Sequence, residues 1–184
     1  MQSDVCDTGG RRAVPLRLFL GNALQNNHDR YTLDRTQVRV DADDLDRLLV
    51  HADQTSSEQE RAALLERALT LFRAEPLAGS DYPWAEGLLR TLRATRVHVL
   101  GQVGYVRLRG GNARTALAAA EQGLIIDQLN EAFWRLAIEA ESQLGLREAV
   151  SQRYEQFQRT LDEHLGLGPA HETRALYRRL LGQS

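Results

Sequence analysis

Gly111-Asn-Ala-Arg-Thr-Ala116 returns thirty-four positions later as Gly145-Leu-Arg-Glu-Ala-Val150, and this recurrence decides the fold. Each copy places a glycine where one helix must stop and a small apolar residue five positions on, inside the next helix. Val103 and Ala137 stand in the same relation. Glycine ends a helix because it enters the left-handed backbone region without a Cβ clash.

On both sides of each glycine, apolar residues recur at the helical spacing of three and four. Upstream, Trp84, Leu88, Leu92, Val99, Val103 and Val106 form one stripe. Asn112 caps a helix carrying Ala113, Ala116, Leu117, Ala120 and Leu124. Asn130 caps another with Phe133, Leu136, Ala137, Ala140 and Leu144, and Leu129 can close on Trp134 as a hydrophobic staple. A longer helix runs from Leu146 to Leu165, with Gly166 as its stop and His164 at its negative end. After Gly168-Pro169 a last helix holds Leu176, Tyr177, Leu180 and Leu181. Towards the N-terminus, Ser57-Glu-Gln-Glu60 is a capping box, and Asp41 caps a run through Leu45, Leu48 and Leu49.

A helix–turn–helix unit of about 34 residues has the tetratricopeptide period. Such units bury their apolar faces only by stacking, so the flanking helices must complete the stack. Gly101, Gly104, Ala116, Ala120, Ala137 and Ala140 allow close approach of paired helices. Trp84, Tyr105, Trp134, Tyr154, Phe157 and Tyr177 are the large residues expected to fill the core. The expected class is all-α, a tetratricopeptide-like right-handed helical repeat.

The N-terminal quarter reads differently. Residues 1–13 lack periodicity and are expected to be disordered. Val14, Leu16, Leu18, Leu20 and Leu24 form a short amphipathic stretch. Tyr31-Thr-Leu-Asp34 and Val38-Arg-Val-Asp41 alternate apolar and polar residues and predict a hairpin turning at Arg35-Thr-Gln37.

Composition narrows the function classes. The 184 residues carry a net charge of -2, which gives no bulk argument for nucleic-acid binding. A single cysteine, Cys6, excludes an internal disulfide and a four-cysteine zinc site. Neither a secretory signal nor a membrane-length apolar run is visible, so a cytoplasmic, reducing compartment is expected. His28, His51, His98, His164 and His171 form no pair at helical ligand spacing, and Ser, Cys and phosphate-loop motifs are absent. The sequence therefore predicts no enzyme, no metal and no cofactor.

Several segments together resemble one family. Leu71-Phe-Arg-Ala-Glu-Pro-Leu77, Trp84, Leu89-Arg-Thr-Leu-Arg93, Asp127 to Leu136, Leu161-Asp-Glu-His-Leu-Gly166 and Glu172 to Tyr177 follow the order and spacing of the bacterial transcriptional activator domain of actinobacterial antibiotic-regulatory proteins. That all 23 Lys/Arg positions are arginine fits a GC-rich genome of that kind. The resemblance implies a regulatory domain that follows a winged helix in the chain. Residues 14–40 then correspond to a partial winged-helix and wing segment, and 41–184 to the helical activator domain.

The resemblance implies protein–protein contact or self-association, and contact with DNA only with a complete winged helix or a partner. Arg11, Arg12, Arg17, Arg30, Arg35 and Arg39 cluster around the expected wing and are the DNA-contact candidates. Arg90, Arg93 and Arg96 line one helix face, with Arg107 and Arg109 following, and are candidates for phosphate or acidic partners. The competing reading is a stand-alone tetratricopeptide-like adaptor that holds a peptide and has no DNA role. Stacking of the two repeats predicts a buried Trp134, so Trp134→Ala should cost roughly 3–5 kcal/mol in a denaturant melt. An unchanged midpoint would count against that packing.

Overall fold

A computed structural model of the chain describes residues 18–27, 30–73 and 83–182. Residues 1–47 and 48–184 form two compact units. In the first, residues 18–20 are helical and run into a 3-10 turn at Gly21–Ala23. Strands β1 (Leu24–Asn27) and β2 (Arg30–Leu33) then pair antiparallel, Leu24 opposite Leu33 and Gln25 opposite Thr32.

The hairpin is therefore real but sits earlier than the alternation predicts. Tyr31–Leu33 is its second strand, and Val38–Val40 is not a strand. Asp34 explains the shift. Its carboxylate accepts from the Thr36 amide (3.0 Å), the Thr36 hydroxyl (2.6 Å) and the Gln37 amide group (2.7 Å). That local turn ends the ladder where the pattern suggested it would begin. Leu24, the last residue of the amphipathic stretch, lies in β1, and Leu18 and Phe19 are almost fully exposed. The part of that stretch from Val14 to Arg17, like residues 1–13, lies outside the described residues.

Seven α-helices follow among the described residues: α1 (Asp41–Gln54), α2 (Glu58–Leu69), α3 (Glu86–Arg109), α4 (Ala113–Ile126), α5 (Glu131–Gln143), α6 (Arg147–Leu165) and α7 (His171–Gly182). The described residues are thus mostly helical, with one small two-stranded sheet. Ser57 caps α2 by accepting from the Glu60 amide (3.3 Å). Glu60 completes the box indirectly, because its carboxylate accepts from the Thr55 hydroxyl (2.6 Å) and that hydroxyl accepts from the Ser57 amide. Asn112 and Asn130 cap α4 and α5 through their side-chain oxygens.

The thirty-four-residue repeat is visible bond for bond. The amides of Gly111 and Asn112 donate to Leu108 and Arg107; those of Gly145 and Leu146 donate to Ser142 and Glu141. Both glycines are left-handed, with φ of 77° and 75°. The same helix-ending motif therefore closes α3 and α5 and turns the chain into α4 and α6.

Helix α3 packs on α2, α4 and α5, while α5 packs on α6 and α7. Phe133, Leu136, Ala137 and Ile138 of α5 are buried against these neighbours. Trp134 is buried beside Phe157, ring centroids 5.1 Å apart, with Leu161, Leu124 and Leu129 around them. Its indole N–H donates to the Gln128 carbonyl at 2.9 Å, so the burial leaves no unmet donor there. Tyr154 stacks on Tyr177 at 3.9 Å within a cluster of Ile138, Val150 and Leu176. Burial pushes the Tyr154 phenol above its ordinary pKa.

Tyr105 departs from the expected core: it is 37% exposed. The buried stripe of α3 holds Val99, Leu100, Val103 and Val106, and Tyr105 lies off it, its hydroxyl near the Ala132 carbonyl. Leu88, near the start of α3, and Leu165, the last residue of α6, are also about half exposed. The side chain of Trp84 lies outside the described residues.

The glycines separate into packing and non-packing positions. A Cβ at Gly123 would overlap the ring of Phe133, and one at Gly104 would meet the tip of Leu136. At Gly101 a Cβ would meet only the Phe133 ring edge at 3.9 Å, an ordinary contact. Gly123→Ala should therefore cost about 1–3 kcal/mol by overpacking, and Gly104→Ala less, since a leucine tip can turn. Gly101→Ala should be neutral or stabilising by up to about 1 kcal/mol, the helix gain of alanine over glycine. Thermal melts of the three variants check this order, and equal melting temperatures would refute it.

Candidate functional site

The DNA-contact candidates divide between described and undescribed residues. Arg11, Arg12 and Arg17 lie outside the described residues, and Arg30 is described only as backbone in β2. Arg35 and Arg39 both turn onto the first turn of α1. Arg35 hydrogen-bonds the Asp43 carboxylate, and Arg39 donates to Asp44 from Nη2 (2.7 Å) and Nε (3.2 Å). Arg47 reaches the other Asp44 oxygen at 2.6 Å. The carboxylates also sit where the helix dipole favours negative charge. The Arg39 hydrogen bond holds the Asp44 carboxyl below its ordinary pKa. Both side chains stay largely exposed and keep N–H donors beyond those bonds.

The partner-contact candidates lie on α3. Arg90 and Arg93 are exposed, and Arg96 stands over the Phe72 ring at 5.9 Å, a cation–π contact. Arg93 and Arg96 line a cleft of about 380 Å³ with Gln122, Ile125 and Ile126. Arg107, further along, hydrogen-bonds Glu66, and that bond raises its pKa above the ordinary value.

A larger groove, of about 870 Å³, opens between α2, α3 and the start of α5. Along α3 it is lined by Ala94, Val97, His98, Gly101, Gln102 and Tyr105, in steps of three and four, with Arg109 at its end. Arg61 enters from α2, and Ala132 and Phe133 enter from α5. Asp127 and Asn130, from the connection between α4 and α5, complete the rim. The floor is apolar and built largely of small residues, so an incoming side chain finds room and a surface to cover.

The polar groups are ordered by one chain of hydrogen bonds. Arg61 Nη2 donates to Gln102 Oε1 at 2.7 Å, and Gln102 Nε2 lies 2.6 Å from His98 Nε2. Arginine can only donate, so the Gln102 oxygen must face Arg61 and its NH₂ must face His98. The Gln102 amide thus bridges Arg61 and His98. Asp127 is engaged by its own turn, accepting from the Leu129 amide and the Asn130 side chain at 3.3 Å each.

Sequence reasoning did not select this groove, although it noted Arg109. The signal was a second stripe on α3, Ala94, Val97, His98, Gly101, Gln102 and Tyr105, offset from the buried one. It is short of large apolar residues, so it reads as a solvated face until a neighbouring helix turns it into a wall. Among the described residues, no group of three His, Cys, Asp or Glu side chains could hold a metal ion. No helix of the described residues is long and apolar enough to cross a membrane.

With the geometry in place, similar proteins can be compared. The family model for the bacterial transcriptional activator domain matches residues 40–181. Among solved structures, Mycobacterium tuberculosis EmbR in complex with a low affinity phosphopeptide matches with a TM-score of 0.71 at 23% identity, covering 96% of this chain and 51% of that one. The chain thus spans about half the length of EmbR. Curated proteins give no match.

The Asp44 carboxyl carries a pH prediction. Its lowered folded pKa means that its pairing with Arg39 is complete above the ordinary carboxylate range and is lost as pH falls through the lowered value. An NMR titration of the Asp44 side-chain carbon should therefore show a midpoint below that of an unpaired aspartate. Arg39→Gln should move the midpoint upward; an unmoved midpoint would remove Arg39 as the cause.

Proposed function

The chain belongs to the family of the bacterial transcriptional activator domain, and from that premise we propose that it is the interaction part of a transcription regulator, engaging a partner protein through the α2–α3–α5 groove. The observation that carries this is the groove itself, about 870 Å³ with an apolar floor and a polar rim. Its volume falls in the range of about 300–1,000 Å³ typical of ligand sites.

The reading is of a binding module, not an enzyme, because the family is one of activator domains and the groove's polar groups are arranged to hold rather than to react. His98 has no nucleophile beside it; its hydrogen-bond partner is an amide. Contact with DNA takes second place. Arg35 and Arg39 are paired with Asp43 and Asp44, which offsets their charge toward phosphate. The promoter and partner identities belong to the whole regulator.

Gly101 supplies the test, since a side chain there points into the groove with room for its first carbon. Gly101→Leu should leave the melting temperature equal to or above that of the parent. It should also lower transcription from a reporter carrying the promoter of the same locus, by about tenfold if the lost contact is worth 1.4 kcal/mol. Full reporter output from a folded, expressed Gly101→Leu protein would show that the groove is not the effector surface.

A further inference from the structure

Three features of the groove have no use in packing. Arg61 and Arg109 meet acidic neighbours only at 3.6 Å (Asp53) and 3.4 Å (Glu58), and both carboxylates are largely exposed. Exposed pairs of this kind contribute little and exchange readily for a better-placed anion. Arg61 Nε is buried without an acceptor, so this guanidinium has more donors than the chain supplies acceptors. The one acidic residue on the rim, Asp127, is occupied by the donors of its own turn. The groove therefore offers two under-used cations and a histidine around an apolar floor.

Shape decides the size of the occupant. The lining along α3 runs from Ala94 to Arg109, which at 1.5 Å per residue is about 22 Å. An extended peptide at about 3.3 Å per residue fills that length with roughly seven residues.

We propose that the groove captures an extended acidic peptide segment, with apolar side chains on the Gly101–Phe133 floor and carboxylates on Arg61 and Arg109. This rests on reading the groove as the interaction surface.

The probe is a fluorescent seven-residue peptide of alternating leucine and glutamate, with glutamine and lysine versions as controls, followed by anisotropy on the full chain. The glutamate peptide should bind at least about tenfold more tightly than the glutamine one, and the lysine peptide more weakly still. Its affinity should fall with salt. Arg109→Gln should weaken it several-fold, and Gly101→Leu should abolish it. Equal binding of the glutamine peptide, still abolished by Gly101→Leu, would overturn the acidic specificity and leave the groove as a docking surface. Absence of any binding, with the reporter loss of Gly101→Leu intact, would likewise overturn this inference alone. Binding that survives Gly101→Leu would overturn both readings.

Discussion

The ring of Phe133 is the contact on which the second unit depends. It enters α5 three residues after the Asn130 cap, lies against Gly123 of α4, and presents an edge to Gly101 of α3. One aromatic side chain therefore fixes the spacing of three helices. It can do so because Gly123 carries hydrogen where a methyl would overlap the ring. Leu136, one turn later, repeats the arrangement against Gly104, with Ala119 beside it. The interior is close-packed at these points and does not deform smoothly. The groove inherits that rigidity, since Phe133 is at once the wedge between helices and part of the groove floor.

The repeat was legible in the chain because its signal is backbone chemistry. Gly111 and Gly145 must be left-handed for the turns to close, and no other residue type does this as cheaply. Caps were legible for a similar reason, Ser57, Asn112 and Asn130 each accepting one exposed amide. The hairpin was misplaced because alternation over 31–41 is a weaker signal than the three hydrogen bonds that Asp34 gathers into a turn. Leu24-Gln-Asn-Asn27 has little strand propensity and is a strand only through its pairing with β2. Gly101 and Gly104 looked alike in sequence, yet one holds a helix contact and the other opens on the groove; only the neighbouring helix distinguishes them.

Arginine was abundant but not informative by itself. Arg35, Arg39, Arg47 and Arg107 are each committed to a carboxylate. Arg153 is the extreme case. It joins Glu141, buried in α5, to Glu121 of α4. Burial opposes its charge, yet the hydrogen bonds of those two carboxylates hold its pKa above the ordinary arginine value. Removing one partner of such a cluster leaves a buried charge uncompensated, so the three residues act as one structural element. What marks Arg61 and Arg109 is the poor quality of their existing pairs, a property of distance that the sequence does not carry.

The stability of the helical stack and the occupancy of the groove are thus carried by largely different faces of the same helix, with Val106 shared between them. On α3, Val99, Val103 and Gly104 face the stack, and His98, Gly101 and Gln102 face the groove, one residue out of phase. A change on the second face can alter recognition without touching the core, so the groove can be retuned while the repeat is kept. The groove also exists because side chains are small there: Ala94, Gly101 and Ala132 leave the room that Leu or Phe at those positions would fill. A recognition surface made by omission gives composition and periodicity nothing to register. It becomes apparent only when the turns at Gly111 and at 127–130 bring α5 alongside α3 and the missing volume acquires walls.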